Sequence, residues 1–150
     1  MVCNDIDYEL APHLLRLFIE ESRYNISKYS KRDYSVPFSE SCICSFYIGR
    51  QKGVSTAVRE WIKENSESKN MIAYVTPYTN LISKRNLICV DVNNGLVNHD
   101  LMFRGINFKV GFIFDSCTKK QVDEFLKKNS FFPELVCRDK VDFVVSVGQL

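Results

Sequence analysis

Apolar runs of strand length alternate with segments of helical periodicity along the chain. Five runs are rich in aliphatic and aromatic residues, at residues 42–48, 71–75, 86–92, 108–115 and 142–148. Continuous apolar runs of this length are typical of strands that are buried on both faces of a sheet. Apolar side chains recur at helical spacing in three other segments, at residues 11–24, 56–65 and 118–129. The pattern predicts an α/β fold with a mostly parallel sheet in three layers, with helices on both faces.

Proline and glycine positions set the predicted boundaries. Pro12 is tolerated in the first turn of a helix, so the first helix is predicted over residues 11–24, followed by a polar connection over residues 25–41. Asn93, Asn94 and Gly95 form a turn signal that predicts a hairpin to a weaker strand at residues 96–103.

Length and composition predict one globular domain. The chain has 150 residues, of which 45% are hydrophobic and 25% are charged, with a formal net charge of +2. One core suffices for this length, so residues 1–150 are predicted to form a single domain, with residues 1–41 preceding a core at 42–150. The small net charge predicts no strong general attraction to nucleic acid or to membranes. No apolar run approaches the roughly 20 residues needed to span a bilayer, and the N-terminus lacks the pattern of a signal peptide.

The cysteines and histidines do not form a recognisable metal motif. The chain contains six cysteines, at positions 3, 42, 44, 89, 117 and 137. Most of them lie in or beside strand-like runs, where free thiols pack as small hydrophobic groups, so we expect them to be reduced. Cys42 and Cys44 lack zinc spacing, and His13 and His99 are far apart in sequence, so no metal cluster is expected.

The segment 42–62 has the order strand, glycine-bracketed loop and helix. Such a unit binds anions, because a helix start presents free N–H groups and the positive end of its dipole. Gly49 and Gly53 remove the Cβ atoms that obstruct a backbone wrapped around a phosphate. Ser55 stands where such loops hold Mg²⁺. The structural alternative is an ordinary strand-to-helix turn, with glycine for its geometry and Ser55 and Thr56 as caps.

The stretch G-R-Q-K-G-V-S-T resembles the phosphate loop, or Walker A motif, of the large terminase subunits of tailed phages. Six of its eight positions agree with that loop, namely Gly49, Arg50, Gln51, Gly53, Ser55 and Thr56. Val54 occupies the position of the lysine that grips the phosphates, and Lys52 lies two residues earlier. The resemblance implies that all eight residues from Gly49 to Thr56 contact ATP, with Lys52 supplying the charge.

A second segment, L-M-F-R-G-I-N-F-K-V-G-F-I-F-D-S at residues 101–116, resembles the Walker B region of the same family. The resemblance implies that Asp115 holds Mg²⁺ through the water shell of the metal, beside Ser55 as a ligand. The following residue is Ser116 where the family has glutamate, and a hydroxyl cannot act as the general base that activates water. The alternative for Asp115 is a turn residue at a strand end.

Three further groups of residues are candidates by position. Residues before the first strand often seat the base in the terminase-like arrangement, which nominates Tyr29, Arg32 and Tyr34. The strand after Walker B carries a γ-phosphate sensor in that family, and the matching positions are Ser146, Gly148 and Gln149. Lys119 and Lys120 lie just after Asp115 and are candidates for a phosphate contact. A solvated helix start is the simpler interpretation of these two lysines. The acids Asp91, Asp100 and Asp115 are too scattered in sequence to predict a nuclease.

Two functions follow from the resemblance. The first is a small viral P-loop domain with degenerate motifs that binds a phage or host protein, or a nucleic-acid machine component, with residual or no hydrolysis. The alternative is an active Mg²⁺-dependent ATPase that serves phage DNA packaging or DNA metabolism. The chain ends at Leu150, whereas terminases continue into further ATPase strands and a nuclease domain, so a complete packaging motor is not expected. We expect an intracellular protein, in the host cytoplasm if it is viral.

Overall fold

The computed structural model confirms the α/β class. It describes residues 2–29, 42–47, 53–65, 70–77, 87–93, 108–128, 132, 135–136 and 138–147. The elements with full bounds are α1 (Val2–Tyr29), β1 (Ile43–Phe46), α2 (Val54–Glu64), β2 (Met71–Thr76), β3 (Leu87–Asp91), β4 (Val110–Asp115), α3 (Lys119–Lys128) and β5 (Val141–Val147). Within these residues, no helix is long and apolar enough to cross a membrane.

The five described strands form one parallel sheet in the order β1-β5-β4-β2-β3. Strand β5 therefore lies between β1, which leads into the predicted phosphate loop, and β4, which ends at Asp115. Because all pairs are parallel, the carboxyl ends of these strands lie along one edge of the sheet. The predicted hairpin strand at residues 96–103 lies outside the described residues, and β3 pairs with β2 in parallel.

Helices cover both faces of the sheet, as the periodicity predicts. On one face, termed the α2 face, α1 and α2 pack against the sheet through Ala11, Leu15, Ile19, Val54, Ala57, Val58 and Ile62. On the other, termed the α3 face, the helix α3 contributes Val122 and Phe125. The central strands β2 and β4 are buried along their whole length, which explains their continuous apolar sequence.

Helix α1 is longer than the prediction of residues 11–24, and Pro12 lies in its interior, not in its first turn. The proline removes one N–H donor from the helix, at a cost of about 3 kcal/mol in an unsupported helix. Burial of Ala11, Leu15 and Ile19 in the core of the α2 face offsets this cost. The first residues of the predicted connection, up to Tyr29, are helical as well.

Ser22 ties α1 to the sheet through two hydrogen bonds. Its buried Oγ donates to the carbonyl of Cys42 at 2.7 Å and accepts from the amide of Val144 at 2.9 Å. The amide of Val144 belongs to β5 at the point where pairing with β1 begins. A helix side chain thus bonds to backbone groups of two neighbouring segments of the sheet.

We expect Ser22→Ala to destabilise the fold, because it leaves the Cys42 carbonyl and the Val144 amide without this partner. Each buried polar group left unsatisfied costs about 1 to 3 kcal/mol. Urea denaturation followed by circular dichroism measures the change. Ser27→Ala is the matched control, since Ser27 is exposed on the same helix and bonds to the carbonyl of Tyr24 within it. Equal stability of the two variants would contradict the assigned role of Ser22.

The described cysteines are free thiols, as expected. They are Cys42, Cys44, Cys89 and Cys117. Burial raises the pKa of Cys44 to about 11 and that of Cys117 to about 12, with the negative charges of Asp115 and Asp91 adding to the effect at Cys117. These thiols are therefore protonated at neutral pH and behave as packing groups.

Candidate functional site

Asp115 is a buried carboxylate at the carboxyl end of β4. Its side chain is 1% exposed, on the face of the sheet that α2 covers. In the described part of the chain, three hydroxyl groups donate hydrogen bonds to it. Ser55 and Ser116 donate to Oδ1 at 3.2 Å and 3.3 Å, and Tyr74 donates to Oδ2. A buried carboxyl group is tolerable only with hydrogen-bond partners, and the three hydroxyls supply them.

The structure brings together the two residues proposed as Mg²⁺ ligands. Ser55 is the second residue of α2, and its Oγ lies 3.2 Å from Asp115 Oδ1 although 60 positions separate them in sequence. The contact forms because α2 starts at the carboxyl edge of the sheet and packs over β4 and β5. Two side-chain oxygen atoms thus lie in contact beside the start of a helix.

The starts of α2 and α3 differ in their capping. The N-cap of α2 is Gly53, with a left-handed backbone (φ 74°) and no side-chain cap. In α3, Thr118 and Gln121 form a reciprocal capping box. The Thr118 amide donates to Gln121 Oε1 at 2.9 Å, and the Gln121 amide donates to Thr118 Oγ1 at 3.1 Å. Among the described residues, α3 is therefore the one of these two helices that carries a side-chain cap.

Tyr74 belongs to this site, and the sequence interpretation missed it. The residue lies in the middle of β2, is 4% exposed, and directs its hydroxyl to Asp115 Oδ2. Burial raises the pKa of Tyr74, and the adjacent charge of Asp115 raises it further, while Arg59 opposes both. The phenol therefore keeps its proton at neutral pH and acts as a hydrogen-bond donor to Asp115. The available signal was one polar-tipped side chain within an otherwise apolar run, M-I-A-Y-V.

Ser116 stands at the exit of β4 in a left-handed conformation, with φ 60°. Its amide donates to the carbonyl of Val147 at 2.9 Å, and its hydroxyl donates to the Asp115 carboxylate. A non-glycine residue in this conformation carries a cost of order 1 kcal/mol, which these two bonds help to offset. The side chain at the position of the family's glutamate is thus a hydrogen-bond donor to the carboxylate.

Val54, at the position of the phosphate-gripping lysine, is a core residue. Its side chain is 7% exposed and packs in the core of the α2 face. Thr56 is exposed in the first turn of α2. The remaining loop candidates, Gly49, Arg50, Gln51 and Lys52, lie outside the described residues, and their assignment to phosphate stays a prediction.

The secondary candidates are spread over the molecule. Tyr29 packs partly buried against the α3-face core at the end of α1. Lys119 and Lys120 are exposed at the start of α3. Ser146 is buried inside β5 opposite Phe114. Four other candidates lie outside the described residues, namely Arg32, Tyr34, Gly148 and Gln149.

Comparison of the chain with family models, with curated proteins and with solved structures gives no match. The terminase resemblance therefore stays an interpretation of two short segments. The function has to be argued from the chemistry of the site.

The oxygen pair fits Mg²⁺ when the metal arrives with phosphates. Mg²⁺ keeps several waters and is usually held by one or two carboxylates and substrate phosphates, so Asp115 and Ser55 are an adequate protein contribution. Among the described residues, no group of three His, Cys, Asp or Glu side chains is placed to hold a metal alone. Ser55 and Asp115 would hold the metal, and phosphate and water oxygens would complete its coordination.

Proposed function

We propose that this domain binds a nucleoside triphosphate together with Mg²⁺, with little or no hydrolysis, as a degenerate terminase-like P-loop domain. In this proposal it acts on a protein or nucleic-acid component of a larger, viral machine. The observation that supports it most is the Ser55–Asp115 contact at the uncapped start of α2. A serine in the first turn after the loop and an aspartate at a strand end are the protein ligands that P-loop domains give to Mg²⁺.

Each described group has a defined task in this proposal. The N–H groups at the start of α2 donate to phosphate oxygens, and the helix dipole favours their negative charge. Gly53 allows the backbone to approach, since it has no Cβ and adopts the left-handed conformation. Ser55 and Asp115 hold the metal, which neutralises phosphate charge.

Slow hydrolysis follows from the residues at two positions. Ser116 cannot take a proton from water at neutral pH, and its hydroxyl is directed at Asp115. Val54 places a buried aliphatic side chain where the family has a cation. Loss of a positioned base costs about 10² to 10⁴ in rate, and loss of one positioned donor costs about 10² to 10³. Binding without efficient turnover is the expected result.

A second candidate is a protein-binding domain that uses no nucleotide. It is favoured by the burial of Asp115, which has hydroxyl donors on both oxygens and so already forms a complete polar cluster. Exposed apolar side chains on α1, Leu10 at 37% and Leu17 at 53%, supply surface for a partner in that case. The two candidates differ in their response to ATP.

Thermal unfolding with and without ATP and Mg²⁺ separates these candidates. Ligand at a hundred times its dissociation constant stabilises the native state by about 2.7 kcal/mol. We expect a saturable increase in melting temperature with ATP that becomes larger when Mg²⁺ is present, and negligible phosphate release. Ser55→Ala should remove most of the Mg²⁺-dependent increase, whereas Ser27→Ala on α1 should retain it.

A flat response of the wild-type protein at millimolar MgATP would exclude the nucleotide proposal and leave the second candidate. Rapid phosphate release would instead support the active ATPase. An increase in melting temperature that does not depend on Mg²⁺, and that Ser55→Ala retains, would contradict the role of Ser55 in holding the metal.

A further inference from the structure

The carboxylate of Asp115 is held by one rigid donor and two mobile ones. Tyr74 projects from the middle of β2, and its ring is fixed in the core of the α2 face, so its hydroxyl has little freedom. The hydroxyls of Ser55 and Ser116 turn about a single bond, and both are only partly buried. Tyr74 is therefore the group that sets the orientation of the carboxylate.

The two oxygens of Asp115 have different roles. Oδ2 accepts from Tyr74, while Oδ1 accepts from both serines. Metal binding by Ser55 and Asp115 requires Ser55 to turn its proton away, which breaks its bond to Oδ1. The Tyr74 bond is made to the other oxygen and does not compete with that change. It is thus able to persist when the site is loaded.

We propose that Tyr74 is a positioning residue for Mg²⁺, which directs Oδ1 of Asp115 toward Ser55 by holding Oδ2. The inference rests on the proposed function and adds a residue that the phosphate-loop pattern does not contain. Hydrogen-bond partners of metal ligands orient those ligands, and their removal reduces metal affinity about 10- to 100-fold. Tyr74→Phe keeps the ring in the core and deletes the hydroxyl alone.

The test compares ATP binding in EDTA with ATP binding across a Mg²⁺ titration, by calorimetry, for wild type, Tyr74→Phe and Tyr24→Phe. For Tyr74→Phe we expect the Mg²⁺ concentration that gives half of the maximal gain in ATP affinity to rise about 10- to 100-fold. The affinity for ATP in EDTA should be unchanged. Tyr24→Phe makes the same chemical change on the exposed face of α1 and should match wild type in both conditions. Circular dichroism checks that each variant is folded.

Two outcomes would overturn the inference alone, given a wild type that binds MgATP. One is an unchanged Mg²⁺ requirement in Tyr74→Phe. The other is an equal loss of affinity with and without Mg²⁺, which indicates a structural role. If the wild type binds no ATP in either condition, the proposed function fails and the inference fails with it.

Discussion

Gly111→Ala is expected to destabilise the protein by about 3 kcal/mol, because overpacking of a filled core costs about 1 to 3 kcal/mol and this site has no room to relax. A Cβ at position 111 would lie 2.3 Å from Cε1 and 2.5 Å from Cζ of Phe143. Phe143 is 1% exposed. The Trp61 ring packs edge-on against it with 5.4 Å between the ring centroids, and Cζ of Arg23 lies 5.3 Å from the Phe143 centroid. For a chain of this size the melting temperature should fall by about 6 to 12 °C.

The double variant Gly111→Ala, Phe143→Leu provides the control. A smaller side chain at 143 leaves space for the new Cβ, so the two changes together should cost less than the sum of the single changes. Urea denaturation of all three variants measures this coupling. Strict additivity, or an alanine variant as stable as wild type, would show that the Phe143 ring moves aside freely.

Asp115→Asn is expected to abolish the Mg²⁺-dependent part of ATP binding. The neutral amide has one oxygen in place of two, so it loses the charge that attracts the metal and an acceptor for the surrounding hydroxyls. We expect a loss of metal affinity of at least about 100-fold, since removal of an outer partner alone costs 10- to 100-fold. Calorimetric titration of MgATP measures it.

Asp139→Asn is the matched control, because it makes the same chemical change at an exposed carboxylate 3.9 Å from Lys109. An exposed ion pair of this kind contributes about 0 to 1 kcal/mol, so both stability and MgATP binding should match wild type. Retention of the Mg²⁺ effect in a folded Asp115→Asn variant would exclude Asp115 as the metal ligand.

The elements themselves were predictable because their signals are local. Residues 71–75 and 108–115 are apolar throughout, and β2 and β4 fall on these runs with bounds that differ by one or two residues. The start of α3 was predictable from Thr118, whose cap hydrogen bond appears in the structure. The length of α1 was not predictable from Pro12, since burial of the following turns outweighed the local preference of proline.

The site was only partly predictable. Ser55 and Asp115 were nominated from two short segments, and the structure places their side chains in contact. The polar tip of Tyr74 was a weak signal, because a tyrosine in an apolar run is usually a core residue. Whether its hydroxyl meets a carboxylate depends on the neighbour of β2 in the sheet, which the periodicity of one segment does not specify.

The sequence by itself determined the alternation of strands and helices, the α/β class and the residue types available for chemistry. It did so because apolar periodicity and capping act over a few residues. Only the tertiary structure decided that Ser55, Tyr74 and Asp115 meet at one edge of the sheet. Their meeting depends on the order of the strands and on the packing of α2, and both are set by contacts between segments far apart in the chain.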